Sequence, residues 1–405
     1  MLECQDAPRD VRTGCALAVP GSAWGMPQQT YDVIVIGLGA SGGATLFHLA
    51  KAGLRVLGID RFAPPHSRGS SHGQTRIYRQ AYYEAPVYVP MALRALTLWR
   101  ELERDTGRTL FENVGGLTIG KDTDALIVGA LQSAQQHGIA HELLSVDDIR
   151  LRFPAFHPPS GTMGLFEPTA GVLHADLCVR SHLEMATKNG ADLRTNVIVT
   201  SLDTSREGGV TVHTDGGTFE AGRVVVAAGA WAPRLLGLES AFHVTRETVN
   251  WFGTTLPSAR AQNCPVSMTA LDDGRMLYTL PDFGGGFKAG LHHSGRTADP
   301  HVDVEPVSLA DSDMVAKEVA RYAPGGFGPL RESAPCFYTS TKDQHFAIGP
   351  LPWAPNVILA AACSGHGFKF APSIGESVAR MVQALPTELP MDVFDVGRLG
   401  MPSRP

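Results

Sequence analysis

The sequence predicts a mixed fold: an α/β nucleotide-binding domain joined to a second, mostly antiparallel-sheet domain. Three observations point there. Residues 31–61, YDVIVIGLGASGGATLFHLAKAGLRVLGIDR, read as strand, glycine-rich turn, helix and strand. Short apolar runs return at residues 224–228 and 356–362, each with the length and composition of a strand buried on both faces. Between these two runs, residues 242–338 are dominated by alternating strands, with one helix over residues 312–322.

The opening unit is the most specific. Residues 33–36 form the first buried strand, followed by Gly37, Gly39 and Gly42 in a G-x-G-x-x-G pattern. Ala40, Ala44 and Phe47 recur at helical spacing, and Gly53 can stop that helix. A second strand, residues 55–59, ends on Asp60, 18 residues beyond Gly42. In a Rossmann-like dinucleotide site the first glycine permits the tight turn. The second lets the pyrophosphate approach the backbone, and the third lets helix and strand pack closely. The helix N-terminus offers free N–H groups to the phosphates, and the terminal acid accepts from a ribose diol. Glycines alone would mark only a turn; the surrounding strand, helix, strand and acid make the pattern specific.

Residues 63–84 form a polar loop rich in Gly, Ser and His, a composition that builds no core and suits a segment that dangles or wraps a ligand. A helix follows over residues 91–104, with Ala92, Leu96 and Trp99 on one face and Gly107 beyond its end. Residues 114–165 read as strands with one helix near 125–136. Residues 178–189 read as a helix, 191–200 as a strand and 209–219 as a hairpin arm. The last helix, residues 372–385, starts with Pro at its first turn. The expected nucleotide-binding domain is therefore discontinuous: residues 28–113, 169–239 and 341–398. Residues 114–168 and 240–340 form the second domain, 1–27 a disordered extension and 399–405 a tail. Met26 lies five residues before Tyr31 and is a plausible alternative translation start.

Composition narrows the partners. Hydrophobic residues at 43% and charged residues at 18% fit an ordinary globular chain with a sizeable core. The net charge of −6 argues against nucleic acid or an anionic membrane surface, and no apolar run reaches membrane-spanning length. The six cysteines show no C-x-x-C spacing, so neither a metal site nor a disulfide framework is indicated, and free thiols fit a cytoplasmic location.

Several further stretches give a resemblance. They are PPHSRGSSHGQTRIYR (64–79), VVVAAGAW (224–231), GGFKAGLHH (285–293), Cys336-Phe337-Tyr338 and SGHGFKF (364–370). With the dinucleotide unit, they make the chain resemble the monomeric sarcosine oxidase and N-methyltryptophan oxidase group. These are amine-oxidising flavoproteins of the D-amino-acid-oxidase superfamily. The resemblance runs from about residue 31 to 398. It implies FAD rather than NAD, held at the interface of two domains.

The resemblance also implies roles. Arg79 and Lys369 match the pair that holds the substrate carboxylate; a guanidinium fork binds such a group bidentately and an ammonium adds a point charge. Lys288 matches the lysine that activates oxygen beside the flavin. Cys336 matches the cysteine that links covalently to the flavin, a step that needs thiolate character. His292 and Tyr338 match residues on the amine side of the pocket, and a histidine titrating near neutrality would tune which substrate form binds. His72, Thr75 and Arg76 match residues beside the flavin ring, with Arg76 favouring its anionic reduced form. Ser70 is assigned to the pyrophosphate, and Gly229, Gly365 and Gly367 let backbone approach the flavin. Tyr278 falls near a pocket tyrosine of the family, offset by one residue. The implied activity is an FAD-dependent oxidase of secondary amino acids, N-methyl or cyclic. It takes a small amine and O2 as partners and works as a monomer. The rivals are a dehydrogenase of the same fold with another electron acceptor, against which Lys288 argues, and a flavin-carrying subunit without turnover. The latter would not need Arg79, Lys288 and Lys369 together.

Overall fold

The computed structural model describes residues 30–205, 208–254, 256–302, 305–362 and 364–400. The expectations for residues 1–27 and for a start at Met26 lie outside these, as does the tail after residue 400.

The first strand, Thr30–Ile36, runs parallel to Val56–Asp60 on one side and to Gly217–Val226 on the other. Val33 to Ile36 are almost wholly buried, as their unbroken apolar run requires. Gly217–Val226 is ten residues long and serves two partners along one edge. Its first half is the hairpin partner of Val210–Thr214; its second half pairs in parallel with Ala354–Ala361. The hairpin arm and the buried run at residue 224 are thus one continuous strand. The eight-stranded sheet is completed by Asp192–Thr195, Val199–Asp203 and Ala347–Leu351.

Helix Ala40–Lys51 packs on this sheet and against helices Ala175–Lys188 and Ala371–Val382. The crossing with the last of these is close because Gly375 lacks a side chain: a Cβ there would lie 2.6 Å from the Ala44 carbonyl carbon. Helix Tyr88–Thr106 ends on Gly107 in the left-handed conformation, φ 68°.

A nine-stranded, mostly antiparallel sheet contains Gly116–Gly120, Glu142–Leu144, Met163–Glu167, Phe242–Phe252, Val266–Ala270, Met276–Leu280, Phe287–His292, Arg296–Thr297 and Leu330–Thr341. Helix Leu309–Tyr322 covers one face, packing Val315, Val319 and Tyr322 against Phe252, Phe287 and Leu291. Ser308 and Asp311 cap that helix reciprocally. The other face carries Val249, Trp251 and Cys336. A third sheet of three strands, Thr75–Tyr78, Gly171–His174 and Phe111–Asn113, lies between.

Three expectations need correction. Residues 63–84 are not coreless: Thr75–Tyr78 is a strand, and Tyr78, Ala81 and Tyr82 are buried in the main core. The aromatic end of that segment outweighs its polar start, and Tyr78 Oη is satisfied by donating to Ala92 O at 2.8 Å. Residues 191–200 are two strands rather than one, because Asn196 turns the chain with φ 58°. Residues 114–165 hold a second helix, Val146–Arg152, started by a capping box between Ser145 and Asp148.

Candidate active site

A cavity of about 700 Å³ runs from the glycine-rich turn to the free face of the nine-stranded sheet. That volume is in the range of small-molecule and cofactor sites. Every residue given a cofactor or substrate role in the sequence lines it except Gly42 and His72. Gly42 acts behind the turn, where a Cβ would fall 1.8 Å from Gly37 O. His72 is buried with Nε2 lacking a partner among the described residues. Burial and the nearby Arg76 push it down to about 4, so it is neutral.

At the nucleotide end Gly37 has φ 90°, and a Cβ there would lie 2.6 Å from Ala227 O; only glycine fits. Asp60 ends its strand with one oxygen accepting from Leu38 N at 2.7 Å and the other from Phe62 N at 2.8 Å. Its carboxylate therefore holds the turn in shape and keeps further lone pairs for a ribose. The sequence assigned Ser70 to the pyrophosphate, but its hydroxyl donates to Phe337 O at 2.7 Å. Its neighbour Ser71 instead reaches the helix N-terminus, where Oγ accepts from Ala40 N at 3.1 Å. Gly39 lies beside it, a Cβ there falling 2.9 Å from Ser71 Oγ. Gly229 has φ 51°, and a Cβ would meet no atom within 4 Å, leaving bare backbone toward the cavity. Gly367 has φ −76°, an ordinary value, so its backbone does not demand glycine. Bare backbone, a helix N-terminus and a positioned acid fit a dinucleotide.

In the middle of the cavity lies Lys288, only 3% exposed. Its Nζ donates to Gly73 O at 2.7 Å and Thr75 O at 2.6 Å. Burial and Arg76 push its pKa well below the usual lysine range. Arg76 is held by Thr75 O at 2.9 Å and Ser70 O at 2.8 Å. Cys336 shares the sheet face. Burial raises its thiol pKa, while Arg76 and Lys288 pull the other way, so the thiol is protonated rather than poised as a thiolate.

Arg79 and Lys369 meet at the far end. Both are buried and both face the ring of Tyr82, at 4.0 Å and 5.1 Å from its centroid. Arg79 is not free: one terminal nitrogen donates to both oxygens of Glu84 at 2.7 Å. Lys369 donates to His366 O at 2.8 Å and to Tyr82 Oη at 3.3 Å. Burial, with Arg79, pushes it down to about 7. Glu167 holds the chain just beyond Arg79, accepting from Gln80 N and Ala81 N at 2.9 Å. Neither Glu84 nor Glu167 was singled out in the sequence. The one signal for Glu84 was an acid five residues after Arg79; Glu167 lies on another strand and left none.

His292 and Tyr338 meet at 3.1 Å, Nδ1 to Oη, beneath Gly365, where any Cβ would strike both rings. Tyr278 lines the same wall. The expectation that His292 titrates near neutrality is corrected. Burial, with His293, His366 and the two cations, pushes it well below its usual value, so it is a neutral hydrogen-bonding group.

A dinucleotide turn opening onto buried basic side chains and a thiol is an arrangement that suits a cofactor-dependent oxidoreductase. Residues 32–381 match the DAO family, described as FAD dependent oxidoreductase. The chain belongs to this family, whose membership implies FAD as the cofactor. It is 38% identical to the monomeric sarcosine oxidase of Streptomyces avermitilis, over 91% of this chain and 98% of that one. It is 35% identical to the N-methyl-L-tryptophan oxidase of Yersinia pestis, over 91% and 99%. The solved L-proline dehydrogenase of P. horikoshii shares the fold, with a TM-score of 0.80 at 22% identity, covering 92% of this chain and 98% of that one.

Proposed function

We propose that this chain is an FAD-dependent oxidase of secondary amino acids, with N-methyl or cyclic imino acids as its substrates. The observation that carries the reading is the meeting of Arg79 and Lys369 over Tyr82. They lie 290 residues apart in the chain, yet form one cationic pocket in the cavity that begins at the nucleotide turn. The similarity to sarcosine and N-methyltryptophan oxidases supports the choice of amine.

In this reading Arg79 and Lys369 take the substrate carboxylate, and Glu84 gives up part of its hold on Arg79 to admit it. A carboxylate between two cations restores the charge on Lys369 that burial disfavours. The amine then lies toward His292 and Tyr338, which are neutral and accept or donate hydrogen bonds without repelling it. Held by the turn at Gly37, Gly39 and Gly42 and by Asp60, FAD would supply a two-electron acceptor for a hydride equivalent from the carbon next to nitrogen, with O2 as final acceptor giving H2O2 and water hydrolysing the imine product. Lys288 presents a buried cation to the charge that develops on oxygen. Cys336 would be the residue that holds the flavin covalently, with Arg76 and Lys288 acting to favour its thiolate against the upward push of burial. We further infer two domains, residues 28–113, 169–239 and 341–398 against 114–168 and 240–340. The membership of the two large sheets supports this division. We also infer a cytoplasmic monomer, in keeping with the free thiols of Cys178, Cys264 and Cys336. Among the described residues no helix is long and apolar enough to cross a membrane.

The test is a peroxide-coupled screen over sarcosine, other N-methyl amino acids, proline and pipecolate. Stoichiometric peroxide with one of these is expected. Substrate-driven dye reduction without peroxide would favour the dehydrogenase. Acid precipitation checks the linkage: yellow colour should stay with the protein and leave it in Cys336→Ser.

A further inference from the structure

Lys288 and Trp251 stand directly opposite each other on paired antiparallel strands, Phe287–His292 and Phe242–Phe252. Both side chains are buried, at 3% and 2% exposure. The Lys288 ammonium lies over the indole face, 5.4 Å from the ring centroid, within cation–π reach. The loop at Gly73 closes the arrangement. Gly73 has φ 94°, and a Cβ there would lie 3.6 Å from Lys288 Nζ and 3.8 Å from Trp251 Cη2. The ammonium is thus held by two carbonyls, of Gly73 and Thr75, and by one aromatic face.

We propose that Trp251 is a positioning residue for Lys288: its indole face keeps the ammonium charged and aimed into the cavity. This rests on the reading of Lys288 as the cation that serves oxygen. The need for such support follows from the surroundings. Burial and Arg76 disfavour the charge, and His72, neutral or cationic, can supply no opposite charge in either form. Cys336 is protonated, which leaves Asp176 as the favourable formal charge acting on Lys288. An aromatic face supplies a negative quadrupole without a counter-ion that would attract the amine of a substrate. Sheet geometry makes the contact rigid, because directly opposed side chains on one face sit about 5 Å apart at Cβ.

The test uses the flavin-loaded enzyme labelled at lysine Cε, with the Lys288 signal assigned by its absence in Lys288→Met. Trp251→Leu should lower the NMR titration midpoint of Lys288 by about 0.5–1.5 pH units, and Trp251→Phe should restore most of the shift. In stopped-flow, Trp251→Leu should slow reoxidation by air about 3- to 10-fold at a pH above the new midpoint. Anaerobic reduction by substrate should change less than twofold. An unmoved midpoint in Trp251→Leu overturns the proposal. So does a midpoint that Trp251→Phe fails to restore, which would mark the indole as packing alone. Failure of the parent reading is separate: it shows as Lys288→Met reoxidising at the normal rate, whatever Trp251 does to the titration.

Discussion

Arg79 turns one terminal nitrogen onto both carboxylate oxygens of Glu84 at 2.7 Å, in the place assigned to a substrate carboxylate. Against the upward push of burial, Arg79 and the nearby cations hold Glu84 below the usual carboxylate range. An incoming anion competes with a carboxylate that is fully charged at every physiological pH.

Glu84→Gln removes the competing charge and keeps the shape. Breaking a buried pair costs up to about 3–5 kcal/mol, because Arg79 is left without its counter-ion. The variant should therefore lose stability in urea and regain most of it with a small carboxylate such as propionate. Its affinity for that anion should rise at least threefold over the parent. A variant that is destabilised but no better at binding propionate would show that Glu84 does not stand in the anion's way.

Glu167 governs the backbone beside Arg79 rather than its head group. It accepts from Gln80 N, Ala81 N and the Thr169 hydroxyl from a fully buried position. Losing charge-assisted hydrogen bonds of this kind costs about 1.5–3 kcal/mol. Glu167→Gln should raise KM about tenfold with kcat changed less than threefold, since Arg79 is misplaced rather than removed. If stability falls while KM stays put, Glu167 is only a packing residue.

A third prediction concerns acid stability. His182 is buried and His48 half-buried beside Phe47 and Trp99, with His48 Nε2 and His182 Nδ1 enclosed and unpaired among the described residues. Burial pushes His48 down to about 4 and His182 down to about 3. The unfolded chain takes up these protons below about 6.5, and the folded one resists them. Stability is therefore fully present above pH 6.5 and falls as the pH drops toward 4, by roughly 1.4 kcal/mol per unit for each group. His182→Leu should narrow the difference in urea midpoint between pH 7.5 and pH 5. An unchanged difference would assign the acid loss elsewhere.

What was legible in the sequence was local. Gly37, Gly39, Gly42 and Asp60 form one contiguous unit whose spacing dictates its geometry, and strand, helix and turn follow it. Arg79, Lys288 and Lys369 were legible as residue types inside distinctive stretches. Their protonation was not, because it depends on burial and on partners far along the chain. His292 reads as a titrating histidine until its burial, and then the imidazoles and cations around it, are known. Cys336 reads as a reactive thiol until its burial is known. Glu84 was hidden in an aromatic run taken for loop, and Trp251 in a strand where an indole reads simply as core. Ser70 and Ser71 are indistinguishable in sequence; only the path of the loop shows which hydroxyl faces the helix N-terminus.

The Lys369 ammonium gives the most direct prediction of pH dependence. Burial and Arg79 lower its pKa to about 7, with Glu84 acting in the opposite direction. The group is charged below that value and neutral above it, so its pull on an anion fades as the pH rises. The neighbours do not titrate in the same window. Glu84 is held below the carboxylate range, His366 lies at about 4 and His292 well below its usual value. Binding of propionate, which carries no amine to confuse the profile, should therefore weaken from pH 6 to pH 8, approaching tenfold per unit above 7. Binding above pH 7 should also take up a proton, because a bound carboxylate favours the charged lysine. Calorimetry in two buffers of different ionisation heat measures that proton directly. Lys369→Met should bind more weakly at pH 6 and show neither the slope nor the proton. If the parent enzyme binds propionate equally at pH 6 and 8 with no proton uptake, Lys369 is not part of the anion pocket, and Arg79 alone carries it.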